Sequence, residues 1–284
     1  MKDGQFEIVP NLSEGRSLDV IAEAIVAMEA EGVRVVHRTS DPIHHRSVIT
    51  AVGRASQVVA AAVALARVAR ARIDLRTHAG AHPRIGALDV LPFVPLAHAT
   101  LDDAVTLAHR AAARIWRELG VPSFLYGAAA SAPHRVHLAD IRRGEFERLE
   151  SRAATAPEQW SFDYGDAVHA SSGAIAIGAR PLLIAYNVDL ASGDTAVARR
   201  IARALRESSG GLRTLKCIGL RLDEHRVQVS CNLTDAQAVP LYRVTELVRR
   251  MAAVEGVAVL RSELIGLAPR AAVARTARAY ASAG

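Results

Sequence analysis

At 284 residues the chain exceeds what one hydrophobic core usually fills, and half of its residues are apolar, so two globular domains are expected. The formal charge of +6 comes from arginines scattered over helical patterns, and aromatics make up only 4%, which argues against a nucleic-acid reader built on basic blocks interleaved with aromatics. No apolar run reaches membrane-spanning length and the opening MKDGQFEIVPN holds no apolar signal core, so no membrane partner and a cytoplasmic location are expected.

Residues 5–9 predict a first strand, ended by Pro10 and Asn11. Ser17 is a suitable N-cap, with Asp19 in the first turn, and Val20, Ile21, Ala24, Ile25 and Met28 then recur at helical spacing until Gly32. Residues 33–38 predict a strand, 39–46 a polar loop and 47–53 a third strand. Ser56 opens a helix with Val59, Ala62, Val63 and Ala66 inward. A charged, glycine-bearing stretch, IDLRTHAGAHPRIGALDVLPFVP, follows and runs into a strand over 87–94. This β-α-β-β-α-β order predicts a ferredoxin-like unit. Thr100, with Asp103 three residues on, caps a helix through Val105, Ala108, Ala112, Ile115 and Trp116 to Gly120. A short strand over 121–126 and a polar, helical segment over 135–153 come next. Periodicity is lost over 154–172, a loop of a length that is often functional.

After Gly178 the same order returns: a strand over 182–190, a helix over 195–207, a hairpin of strands 215–222 and 227–233, a helix after Pro240 and a strand over 257–264. The stripe Leu241, Val244, Leu247, Val248 and Met251 faces that helix inward, and the tail over 274–284 is expected to be frayed or weakly helical. The domains are therefore set at 1–178 and 179–284. The fold class is α/β (α+β): two ferredoxin-like units whose mixed or antiparallel sheets are packed by helices, with a ligand groove between them. Cys217 and Cys231 fall on adjacent strands outside any C-x-x-C pattern, and read as small buried residues rather than a disulfide.

The chemistry concentrates in the central stretch. His78 and His82 are four apart, but Gly80 lies between them and Pro83 follows, so they do not share a helix face. The glutamate of a zinc-protease motif is also missing, and no metal site is expected. Pro83 holds His82 extended. A fixed, partly exposed imidazole serves as general base or acid near neutral pH, or else simply closes a turn by hydrogen bonding. Asn11 and Ser13 either bind substrate or make the turn after the first strand.

Four segments in order, VPNLSEGR, DPIHHRSVIT, HPRIGALDVLPFVP and SELIGLAPRAAV, resemble the motifs of the formiminotransferase family, which includes the N-terminal half of formiminotransferase-cyclodeaminase. The resemblance spans nearly the whole chain. It implies transfer of a formimino or formyl group between N-substituted glutamate and N5 of tetrahydrofolate, as in histidine degradation. Tetrahydrofolate would be a co-substrate, no metal would be needed, and the protein would be a homodimer. The family's catalytic histidine matches His82. Asp41 and Asp89 are the candidate carboxylates for holding the partly positive amidine carbon that the resemblance implies. His78, Arg46 and Arg84 stand in the matching motifs, where the two arginines either grip the carboxylates of glutamate and folate or form structural ion pairs. Trp160, Asp163, Tyr164 and Gly165 match the family's W-x-x-D-[FY]-G pattern for folate binding, where the aromatics either stack on a flat ring or anchor the loop. The family motif K-H-x-G-E-H-P-R has Thr77 in place of its lysine and Ala81 in place of its glutamate, which leaves the donor open between formimino- and formylglutamate. The alternative of another class is a non-catalytic folate or small-molecule binding protein. Metal-dependent hydrolysis through His44, His45, His78 and His82 is the weakest of the three.

Overall fold

The computed structural model describes residues 4–42, 44–80 and 82–282, so Ala81 and the last two residues of the tail lie outside it. The chain divides into two compact units between Pro181 and Leu182. Both are mixed α/β, with helices packed on a sheet.

The first unit contains β1 (Gln5–Ile8), β2 (Asn11–Leu12), α1 (Leu18–Glu29), β3 (Arg34–Asp41), β4 (Arg46–Arg54), α2 (Ala55–Arg72) and β5 (Leu88–Pro95). It continues with α3 (Leu101–Leu119), β6 (Ser123–Gly127), α4 (Leu138–Ile141), α5 (Leu149–Thr155), α6 (Pro157–Trp160) and β7 (Ile175–Ala179). β1 and β2 form one interrupted strand that pairs antiparallel with β4 on one side and β5 on the other. β3 extends the sheet beyond β4, and β7 lies parallel to both β5 and β6. The core joins one face of this sheet to α1, α2 and α3. α2 packs against both α1 and α3, which is why its Val and Ala residues are buried on more than one side. Thr100 accepts from the Asp103 backbone N–H at 3.1 Å, and Gly120 ends α3 in the left-handed conformation.

The second unit contains β8 (Ile184–Leu190), α7 (Thr195–Leu205), β9 (Leu215–Arg221), β10 (Val227–Leu233), α8 (Leu241–Val254), β11 (Val259–Ile265) and α9 (Arg270–Ala281). Its four strands lie in the order β11-β8-β10-β9, all antiparallel. The inner face packs on Val197, Ile201 and Leu205 of α7 and on Val244 and Val248 of α8. Cys217 and Cys231 are opposite one another on the β9–β10 hairpin, both buried and free, with sulfurs 2.7 Å apart.

The structure departs from or sharpens sequence expectations at several places, among them a short helix, α6, inside the stretch expected to be a loop. Residues 135–153 form short pieces rather than one helix, because Gly144 and Glu145 take positive φ and break the chain there. β7 had no sequence prediction; it is a five-residue, fully buried strand without alternation. The tail is a helix from Arg270, started by Pro269 and rich in alanine and arginine, both good helix formers. Ser17 makes no side-chain cap; Glu14 accepts from the Ser17 N–H instead, at 2.9 Å.

Candidate active site

Three loops converge at the end of β2. Ser13 donates its hydroxyl to the Gly86 carbonyl at 2.7 Å and its N–H to Ala87 at 2.9 Å, which ties the first loop to the start of β5. The approach is close enough to require glycines. A Cβ on Gly15 would stand 2.2 Å from the Asp41 carbonyl, and one on Gly80 would stand 2.5 Å from that of His44. Arg16 bridges the other two loops, donating to Pro42 at 2.9 Å and to Ala79 at 3.1 Å.

His82 lies in this junction. Its Nδ1 is 2.7 Å from the Pro83 carbonyl, and a carbonyl only accepts, so Nδ1 carries the hydrogen. The lone pair is then on Nε2, and Nη1 of Arg46, which lies 2.8 Å from Nδ1 but nearer to Nε2, donates to Nε2. Nη2 of Arg46 donates to Oδ1 of Asn11, whose amide nitrogen is anchored on the Val9 carbonyl at 2.7 Å. Asp89 is buried: its Oδ1 accepts from the Ile85 N–H at 2.8 Å and its Oδ2 from Arg142. Two guanidiniums and one carboxylate thus surround the imidazole. Burial, reinforced by Arg46 and Arg142 and opposed by Asp89 and the Pro83 carbonyl, holds His82 down to about 3, so the ring is neutral at pH 7. Burial and the charge of Arg142 likewise hold Arg46 down to about 10, against the pull of Asp89.

The second histidine is bound differently. His78 Nε2 meets the His45 carbonyl at 3.1 Å, and Nδ1 accepts from Nε of Arg84 at 3.2 Å, so both ring nitrogens are engaged. Its ring stacks on that of His45 at 4.1 Å between centroids, and burial lowers its pKa. Arg84 is buried and gives its remaining donors to Glu147, at 2.7 and 2.8 Å, to Glu145 at 3.2 Å and to the His78 carbonyl at 3.3 Å. Glu145 holds its carboxylate there from a backbone at φ 58 and ψ −167, a region that strongly favours glycine. Glu14 accepts from the N–H groups of Arg16 and Ser17 and from His45 Nε2; these lower its pKa although burial raises it.

The structure therefore brings together Asn11, Ser13, Arg46, His78, His82, Arg84 and Asp89. Asp41 flanks them: it accepts from the His44 N–H at 2.9 Å and meets His44 Nδ1 at 2.7 Å, and the His44 ring stands edge-on to His82 at 6.4 Å. The Trp160 segment makes its contacts elsewhere. Asp163 accepts from Leu125 N–H at 2.7 Å and from Arg135 at 2.8 Å, Tyr164 meets His109 at 2.9 Å, and Gly165, at φ 110, passes against Pro122. Arg152 covers the Trp160 ring at 3.6 Å from its centroid. Thr77 ends an exposed turn, its hydroxyl on the Asp74 carbonyl at 3.2 Å. Among the described residues no group of three His, Cys, Asp or Glu side chains is arranged to hold a metal ion, and no helix is long and apolar enough to cross a membrane.

Sequence reasoning missed Arg142, Glu145 and Glu147, which come from a segment with no motif. It also passed over Glu14, although the acid just before a helix start was a visible signal. An open cavity of about 550 Å³ lies beside this network, lined by His78, Gly80, Arg84, Glu145, Glu147 and Arg148 among others. A second, of about 410 Å³, shares Gly144 and Glu145 with it and is lined further by Pro83, Leu138 and Arg142. The site thus offers a neutral imidazole in a fixed tautomer, a cationic surround suited to carboxylates, and room for a ligand alongside.

Comparison with known proteins gives a consistent family. Residues 5–180 match the model of the formiminotransferase domain's N-terminal subdomain, and residues 185–283 match that of the formiminotransferase domain. A glutamate formimidoyltransferase of Thermoplasma acidophilum is 42% identical over 96% of this chain and 91% of its own length. One of Streptococcus pyogenes is 41% identical over 96% and 92%. A formimidoyltransferase-cyclodeaminase of Sus scrofa is 39% identical over 96% of this chain but only 52% of its own length.

Proposed function

Because the chain belongs to the formiminotransferase family, we propose that it transfers a formimino group from N-formimino-L-glutamate to N5 of tetrahydrofolate, with His82 as the proton shuttle. N5 attacks the amidine carbon, forming a new N–C bond, and its proton passes to Nε2 of His82. The bond from that carbon to the glutamate nitrogen then breaks, and the leaving amine takes the proton back from His82. One imidazole acts as base and then as acid, which is why a single histidine suffices. The other side chains bind and orient. The guanidinium of Arg46 suits a donor carboxylate. Asp89 and Arg142 fix the charge balance behind the imidazole, and Asp41 supplies negative charge near a partly positive amidine carbon.

The observation that carries this reading is the hydrogen bond from His82 Nδ1 to Pro83. It fixes the tautomer and leaves Nε2 as the nitrogen that bears the lone pair. His78 is held by the His45 carbonyl and by Arg84, which Glu145 and Glu147 fix in turn, and this makes it a positioning residue by comparison. The test is incubation of the protein with tetrahydrofolate and N-formimino-L-glutamate, following folate absorbance and product mass, with N-formyl-L-glutamate in parallel. Formation of 5-formiminotetrahydrofolate with release of glutamate is expected. Folate binding without transfer from either donor would favour the binding-protein reading instead.

A further inference from the structure

The surroundings of His82 contain a contradiction. Nε2 must be free to accept a proton, yet in the ligand-free protein it already receives Nη1 of Arg46. Arg46 differs from its neighbours in its partners. Arg84 is paired with Glu145 and Glu147, and Arg142 with Asp89. Among the described residues no carboxylate forms an ion pair with Arg46; its hydrogen bonds go to Nε2 of the neutral His82 imidazole and to the neutral amide of Asn11. A guanidinium held by neutral acceptors gains when a carboxylate arrives, because the opposite full charge adds Coulombic attraction and a bidentate fit to the hydrogen bond. The proposed donor and its product both carry carboxylates.

We propose that Arg46 is a substrate-operated latch on His82: an incoming carboxylate draws the guanidinium off Nε2 and frees that lone pair for the transfer. The inference rests on the reading of His82 as the base. No proton moves in the exchange. An N–H of Arg46 changes acceptor, from imidazole nitrogen to carboxylate oxygen, and Asn11 keeps the other arm of the fork in place. Two consequences follow. Nε2 becomes accessible, and the positive charge beside the ring is neutralised, which strengthens the base when substrate is present. The charged and titratable groups facing the ring are Arg46 from β4, Asp89 from β5, Arg142 after α4, and His44, carried by Asp41, from the loop after β3. Of these, only Arg46 hydrogen-bonds to the ring.

The test is a pH titration of the His82 ring by NMR on histidine-labelled protein, assigned by comparison with His82→Asn. The probe is L-glutamate, which has the carboxylates and no transferable group, against sodium chloride at equal ionic strength. Saturating glutamate should move the His82 midpoint upward by roughly 1–3 pH units, as expected for removing a like charge at contact distance. In Arg46→Gln the midpoint should already be raised without glutamate, and glutamate should move it little. Arg46→Lys, which keeps the charge but lacks the fork, should give an intermediate ligand-free midpoint and guards against misfolding of the first variant. Failure of glutamate to bind, or binding with an unmoved midpoint in the natural protein, overturns the latch. The titration needs no turnover, so its failure leaves the base role of His82 to stand or fall on the activity of His82→Ala.

Discussion

Replacement of Asp89 by Asn tests the charge balance behind the imidazole. The Asp89 side chain is almost fully buried, and its partner Arg142 is only 12% exposed. The amide of Asn keeps the acceptor for the Ile85 N–H, so the loop before β5 stays tethered. What disappears is the negative charge between Arg142 and Arg46. Removing one partner of a buried pair costs about 3–5 kcal/mol, and the retained hydrogen bond puts this variant near 3 kcal/mol. Asp189→Asn makes the contrast. Asp189 is as buried, but its partner Arg261 is 59% exposed and turns to water when the carboxylate goes. Its cost should be nearer 1.5 kcal/mol. Urea denaturation at pH 7 followed by circular dichroism reads both. Asp89→Asn should also slow transfer, because Asp89 is one of the groups that raise the His82 pKa. Stability and turnover unchanged in Asp89→Asn, or a smaller loss than in Asp189→Asn, would refute the reasoning.

Two further outcomes are expected. Arg84→Ala should lower stability by about 1.5 kcal/mol, the low end for charge-assisted bonds because Glu145 and Glu147 are half exposed, and should leave glutamate affinity within about twofold by calorimetry; a large affinity loss would make Arg84 a ligand contact. His78, His82 and His169 are all held below the ordinary histidine value, chiefly by burial. The unfolded chain therefore protonates first as pH falls, so stability is full above about pH 6.5 and declines below it. His82→Asn should make that decline shallower, by at most ~1.4 kcal/mol per pH unit and less after solvent screening; parallel curves would contradict the shift.

The main architecture was legible where periodicity and punctuation agree. The stripe of α8 after Pro240, the Thr100–Asp103 cap and the β9–β10 hairpin each carry a local signal that the structure follows. Where the signal is tertiary, it was not legible. β7 is buried on both faces and lacks alternation, and the break at Gly144 and Glu145 depends on Arg84 drawing in two carboxylates. The same limit applies at the site. His82 and Asn11 stood out beside turns, one before Pro83 and the other after the first strand, whereas Arg46 and Asp89 stood out through the segments that resemble the family's motifs and the chemistry these imply. Arg142 did not, because nothing near it in sequence indicates that it meets Asp89, 53 positions away. The sequence left Arg84 open between substrate contact and ion pair, and its two carboxylate partners support the ion pair. Trp160 was left open between ring stacking and loop anchoring, and Arg152 lies over its face.

The central claim is that His82 moves the proton, and the direct measurement is turnover of His82→Ala beside the natural protein. Both are assayed with tetrahydrofolate and N-formimino-L-glutamate at saturation, after calorimetry has shown that both bind 5-formyltetrahydrofolate. Loss of general acid–base catalysis should lower kcat by about 10²–10⁴-fold while folate affinity stays within about threefold. A folded His82→Ala protein that binds folate and turns over at the natural rate would contradict the account.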